Sequence, residues 1–264
     1  MARCAPSSAP SPSLEAPDCT STPRRICLFD ALRGLSVISM VCFHLCYDLS
    51  VLKGVELPLF ASPLIDVWRA SISWNFLFLA GIMCNMSRSN PRRALRYLFV
   101  SVLIWASTIV ARVDDPISFG IVFCMGASTL LAAALERIGS HFSCHPAIEA
   151  VMLFLAFLVL LPLPKGFIGL GGLKLMLPRG LYETDLFSWL GLPGPRFSSG
   201  DYYPLLPYSL LYLSGARWGG WALSKGMARA VRNIRCRPLE LVGRHALFLY
   251  LLHQPILLLI LGLL

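Results

Sequence analysis

Arg33 and His44 stand eleven residues apart in a run of mostly apolar side chains, with Asp30 three residues before the first and Asp48 four residues after the second. At about 100° per residue, eleven residues make about three turns, so on a helix the guanidinium and the imidazole share one face about 16 Å apart. Each carboxylate lies about one turn from its basic neighbour. A guanidinium matches phosphate bidentately, which suits Arg33, with Arg25 nearby, to clamp a nucleotide-like donor. An imidazole near a carboxylate can deprotonate a hydroxyl or amine, or take an acyl group itself, and His44 with Asp48 offers that chemistry. The same residues also fit a structural use, with Asp30 and Arg33 as an ion pair between helices and His44 as an interhelical hydrogen bonder.

Charged groups in an apolar run are costly in a bilayer unless they face a bundle interior or a wet cavity, so the elements around them matter. The chain has 264 residues, 56% hydrophobic and 14% charged, where a soluble domain carries about a quarter charged. Its mean hydropathy is +0.67. Apolar runs at 27–50, 70–87, 94–112, 117–136, 147–164, 204–224 and 239–264 alternate with short charged loops. Each is long enough to cross hydrocarbon. The expected fold is an all-α polytopic transmembrane helix bundle of about seven spans. A tail at 1–24, rich in Ser and Pro and expected to be disordered, precedes a membrane domain at 25–264. With the N-terminus cytoplasmic, the inner segments hold twelve Lys and Arg against Glu136 and Glu240, while the outer segments balance seven bases with seven acids. That segregation puts the C-terminus outside. The Gly- and Pro-rich segment 165–203 reads as a partly re-entrant or lid-like piece near the outer surface.

The net charge of +9 comes from clusters flanking apolar runs, with no pattern for nucleic acid. Nine cysteines, an odd number mostly in or beside apolar runs, read as packing residues. His141, Cys144 and His145 have metal-like spacing but no further ligand cluster, so no metal is expected. His253 and Gln254 precede Pro255 in the last run, one turn after Tyr250. They are either a second polar group approaching His44 or donors for carbonyls freed by the proline. Asn75 and Tyr208 are candidates to line a cavity or to bridge helices. Asp201, followed by Tyr202 and Tyr203 at the entry to the sixth run, is a candidate acceptor contact or an ordinary span boundary.

The stretch RICLFDALRGLSVISMVCFHLCYD at 25–48 resembles the opening motif of the heparan-alpha-glucosaminide N-acetyltransferase catalytic-domain family, and its spacing is also similar to that of acyltransferase-3 proteins. SWNFLFLAGIMCNMS at 73–87, DYYPLLPYSLLYLSG at 201–215 and GRHALFLYLLHQPILL at 243–258 resemble further family blocks in the same order. The resemblance implies an integral multi-pass membrane acyltransferase, in the plasma membrane if the source is prokaryotic. Acetyl-CoA or another acyl-CoA would be its donor substrate, with no permanently bound cofactor. Transfer would go to a sugar amine or hydroxyl of a glycan-like acceptor on the outer side. It implies a catalytic role for His44 and a donor-side role for Arg33 and Asp30. One position departs: family members often carry a His where this chain has Phe123. The rival readings are a proton-coupled transporter or permease using His44 and Asp30 as a relay, and a catalytically inactive membrane scaffold.

Overall fold

Hydrocarbon leaves backbone amides no partner but each other, so apolar runs of span length must close into helices. The computed structural model describes residues 26–112, 115–139, 145–231 and 234–262. Its helices are α1 (Cys27–Tyr47), α2 (Leu64–Cys84), α3 (Asn90–Ala111), α4 (Ile121–Ile138), α5 (Pro146–Leu160), α6 (Leu205–Ser224), α7 (Met227–Ala230), α8 (Arg237–Arg244) and α9 (Ala246–Ile260). Proline at the first turn of α3 and α5 starts each helix where its missing N–H costs nothing. Gly139 in the left-handed region ends α4. The tail, Arg25, His141 and Cys144 lie outside the described residues.

Among the described residues, five helical stretches are long and apolar enough to cross a membrane: Cys27–Leu52, α2, α3, α4 and Pro146–Lys165. A sixth is reached if α8 and α9, which meet at an 80° bend, count as one span. Length and apolarity therefore count five or six rather than seven. The difference is α6, whose polar groups are spent on α5: Ser214 Oγ donates to the Ala150 carbonyl at 2.7 Å, and Arg217 pairs with the buried Glu149 at 3.1 Å. Packed against α2, α4 and α5, α6 is shielded by its neighbours and does not need an apolar surface of its own. The last run is likewise not one straight helix, because it breaks at His245 and continues through Pro255 without ending.

Two glycine contacts bring helices together closely. A Cβ on Gly81 or Gly215 would collide with the backbone of the facing helix across α2 and α6, and one on Gly34 or Gly243 would do so across α1 and α8. The core between α2, α4, α5 and α6 is aromatic, with Trp74 edge-on to Phe157 at 4.9 Å and Phe157 at 5.7 Å from Tyr208. The segment between α5 and α6, read from sequence as a partly re-entrant or lid-like piece, is a hairpin followed by turns. Strand β1 (Phe167–Leu170) pairs antiparallel with β2 (Leu173–Met176) around Gly171 and Gly172. Short 3₁₀ turns follow, tied back by Tyr182 Oη to the Leu163 carbonyl and Tyr202 Oη to the Ser188 carbonyl, each at 2.6 Å.

Candidate functional site

Helix α1 is continuous from Cys27 to Tyr47 and passes into a π-helical turn at Asp48–Leu52. Arg33 and His44 thus stand on one helix, and Asp48 begins the widened turn, with its N–H donating to the His44 carbonyl. π-turns concentrate at functional sites because they re-aim side chains. The Asp48 side chain is fully buried. Gln254 of α9 donates through Nε2 to both its carboxylate oxygens, at 3.0 and 3.2 Å.

The residue before Gln254 meets the other partner. The rings of His253 and His44 lie 4.8 Å apart, centroid to centroid. His253 Nδ1 is 2.6 Å from the Tyr250 carbonyl oxygen. A carbonyl can only accept, so Nδ1 carries the proton and Nε2 presents its lone pair. Nε2 is buried and has no hydrogen-bond partner among the described residues, and the same holds for Gln254 Oε1. His44, Asp48, His253, Gln254 and Tyr250 are therefore gathered where α1 meets α9, with two acceptor atoms left open.

Toward the other end of α1, Arg33 Nη1 is 3.4 Å from Asp30 and donates to the Gly243 carbonyl at 3.1 Å, and Nη2 contacts Met83 Sδ. Arg244 of α8 approaches Asp30 at 4.0 Å and pairs with the buried Glu240 at 3.4 Å. Asp30, Arg33 and Arg244 line a cavity of about 110 Å³ with Ile26, Phe29, Met83 and Met86. Arg33 is held by its own fold, whereas the half-exposed Arg244 side chain is the more accessible cation at the mouth. The sequence reading missed Arg244. Its signal was its place one residue inside the block at 243–258, a charge within the last apolar run.

The remaining candidates go elsewhere. Asn75 donates to the Leu32 carbonyl at 3.4 Å and contacts Ser36 Oγ, so it bridges α2 to α1. Tyr208 lies in the aromatic core beside Tyr203 and Phe157. Asp201 accepts the Ile121 N–H at 3.1 Å and so caps α4. Burial pushes its carboxyl up to about 6, against the Ile121 N–H and Arg69, which pull it down. His145 caps α5 by accepting the Ala147 N–H. Phe123 lines a small cavity with Tyr250, placing that side chain next to the residue that orients His253.

Compared with known proteins, the chain matches none of the curated proteins and none of the solved structures. The family model described as "Heparan-alpha-glucosaminide N-acetyltransferase, catalytic" matches residues 25–255. That range begins just before α1 and ends one residue beyond Gln254, enclosing both the α1–α9 cluster and the Asp30–Arg33–Arg244 cavity. With most of its length so matched, and with apolar helices of span length throughout, this chain is a multi-pass membrane protein belonging to the heparan-alpha-glucosaminide N-acetyltransferase catalytic family.

Proposed function

We propose that the protein is a membrane-embedded acyltransferase that moves an acetyl group from cytoplasmic acyl-CoA to an amine or hydroxyl of a glycan-like acceptor on the outer side. The family match supports acetyl transfer. The observation that carries the mechanism is the 4.8 Å approach of His44 to His253, whose Nε2 lone pair has no partner among the described residues. An imidazole with Nδ1–H tied to a carbonyl and Nε2 open is configured to accept a proton.

In this reading the acceptor's N–H or O–H donates its proton to the paired imidazoles as its heteroatom attacks the acyl carbonyl, the thioester C–S bond breaks, and CoA leaves as a thiol that takes up that proton. His44 acts as base or as transient acyl carrier, and His253 is the second imidazole that receives or passes on the proton. Asp48, fixed by Gln254, is the orienting carboxyl one turn beyond His44. Arg33, Asp30 and Arg244, with Arg25, form the donor-side network, where Arg244 reaches the CoA phosphates and Asp30 holds the two guanidiniums in place. Between the two groups the same side of α1 carries Val37 and Met40, buried against Ile72 and Ala246. Seven membrane crossings, with α6 and the α8–α9 pair each counted once, would leave the N-terminus inside and the C-terminus outside, as the loop charges favour.

The test is to incubate membranes with labelled acetyl-CoA and identify the labelled product by mass spectrometry. His44→Ala is expected to lower transfer about 10²- to 10⁴-fold while the protein still inserts. Unchanged turnover in that variant removes His44 from the mechanism. Failure of acetyl-CoA to protect the purified protein against heat, together with substrate-driven proton uptake, would instead favour a transporter.

A further inference from the structure

The hairpin after α5 is unusual for a polypeptide in water. Its register pairs Ile168 with Leu175 and Leu170 with Leu173, and the pleat puts these four aliphatic side chains on one face. Phe167, Gly169, Lys174 and Met176 occupy the other face, where the Lys174 ammonium lies 5.2 Å from the centre of the Phe167 ring. Leu170, Leu173 and Leu175 are 56%, 83% and 64% exposed, so among the described residues the aliphatic face has no cover.

Three observations decide what covers it. The hairpin packs against the end of α5, whose outward residues Ile148, Val151, Met152 and Leu155 are all more than half exposed, as befits a lipid-facing stripe. The hairpin is thus seated on a helix whose own outer side is turned to lipid. Next, a two-stranded sheet has two open edges, and unpaired edge amides are not tolerated in hydrocarbon. That sets the depth at the boundary between headgroups and acyl chains, not within the core. Finally, residues 163–182 contain Lys165, Lys174 and Arg179 but no acid, which complements lipid phosphates. Exposed Leu186, Phe187 and Trp189 follow in the next turn, with the aromatic side chains suited to the same depth.

We propose that the hairpin is an interfacial anchor: its Ile168, Leu170, Leu173 and Leu175 face lies on the leaflet at the C-terminal end of α5, with Lys174 turned to the headgroups and water. The acyltransfer reading is not needed for this, since the argument uses only the hairpin and α5.

The experiment places the photoreactive residue benzoyl-phenylalanine at Leu173, at Lys174, at the lipid-facing Leu95 of α3, or at Glu56 in an exposed loop. Each full-length variant is reconstituted in phosphatidylcholine and phosphatidylglycerol vesicles carrying a radiolabelled phospholipid. Position 173 is expected to form lipid adduct about as well as position 95, and about tenfold better than positions 174 and 56. A 95 adduct in the same preparation shows that the protein is inserted. Equal yields at 173 and 174, no adduct at 173 while 95 reacts, or a protein adduct of doubled mass from 173 would each overturn the proposal. The last outcome would mean that a second copy covers the face.

Discussion

The imidazole of His253 lies 4.8 Å from that of His44, although the two residues come from opposite ends of the chain. Next to them, Gln254 holds Asp48 by both carboxylate oxygens. The dipeptide ahead of Pro255 thus delivers one side chain to each polar residue of the α1 end, and the arrangement has consequences that can be measured separately.

Replacing His253 removes the imidazole whose Nε2 is open. If the pair acts together, His253→Ala lowers the transfer rate about 10²-fold. The double variant His44→Ala/His253→Ala should be no slower than His44→Ala alone, because residues acting as a unit are not additive. Additive losses in a product assay would show two independent roles.

Gln254→Ala leaves the buried Asp48 carboxylate without two of its hydrogen bonds. A hydrogen bond to a charged group contributes about 1.5–3 kcal/mol, so the variant should unfold at a clearly lower temperature in detergent. Asp48→Asn in that background should recover part of the loss, since a neutral amide costs less to bury. No interaction between the two substitutions in a double-mutant cycle would show that the contact contributes nothing.

Gly34 and Gly243 allow α1 and α8 to touch backbone to backbone. Gly243→Ala would push a methyl group into the Asp30 carbonyl and displace the Gly243 carbonyl that receives Arg33. A cost of about 1–3 kcal/mol is expected from such overpacking. It should weaken protection by acetyl-CoA more than a substitution of equal cost in the α2–α6 seam, such as Gly219→Ala.

Asp201 offers a test with pH. Its folded carboxyl is raised from 3.8 to about 6 by burial, so the folded protein keeps a proton that the unfolded chain gives up at lower pH. Stability contributed by the protonated form is complete below about 3.8 and is lost as pH rises through about 6. Asp201→Asn keeps an oxygen for the Ile121 N–H and never ionises. The variant should melt higher than the parent at pH 8, with the gap closing toward pH 4. A lower melting point at pH 8 would show that the charged cap on the α4 N-terminus outweighs its burial.

The α1 stripe was legible in the sequence because Asp30, Arg33, His44 and Asp48 interrupt an apolar run at helical intervals, and periodicity is a local property. Their meeting with His253 and Gln254 was legible only as one of two alternatives, since nothing local says which distant run packs against which. The bend at His245 went unread: Pro255 was the visible breaker, yet the chain turns where Gly243 must sit flat against Asp30. Asn75 and Asp201 were singled out for polarity, and both prove to serve backbone groups, a common use of side-chain amides and carboxylates near helices. The hairpin had a signal in the two glycines between Leu170 and Leu173, hidden by reading 165–203 as a single Gly- and Pro-rich piece.

The bend between α8 and α9 makes the C-terminal limb a clasp. One arm seats Glu240 and Arg244 beside Asp30, the other seats His253 and Gln254 beside His44 and Asp48, and the hinge between them is a single residue, His245. Both ends of α1 are gripped by one piece of chain. Cutting that piece after Arg244 would strip every C-terminal partner from the imidazole end while leaving the guanidinium end furnished.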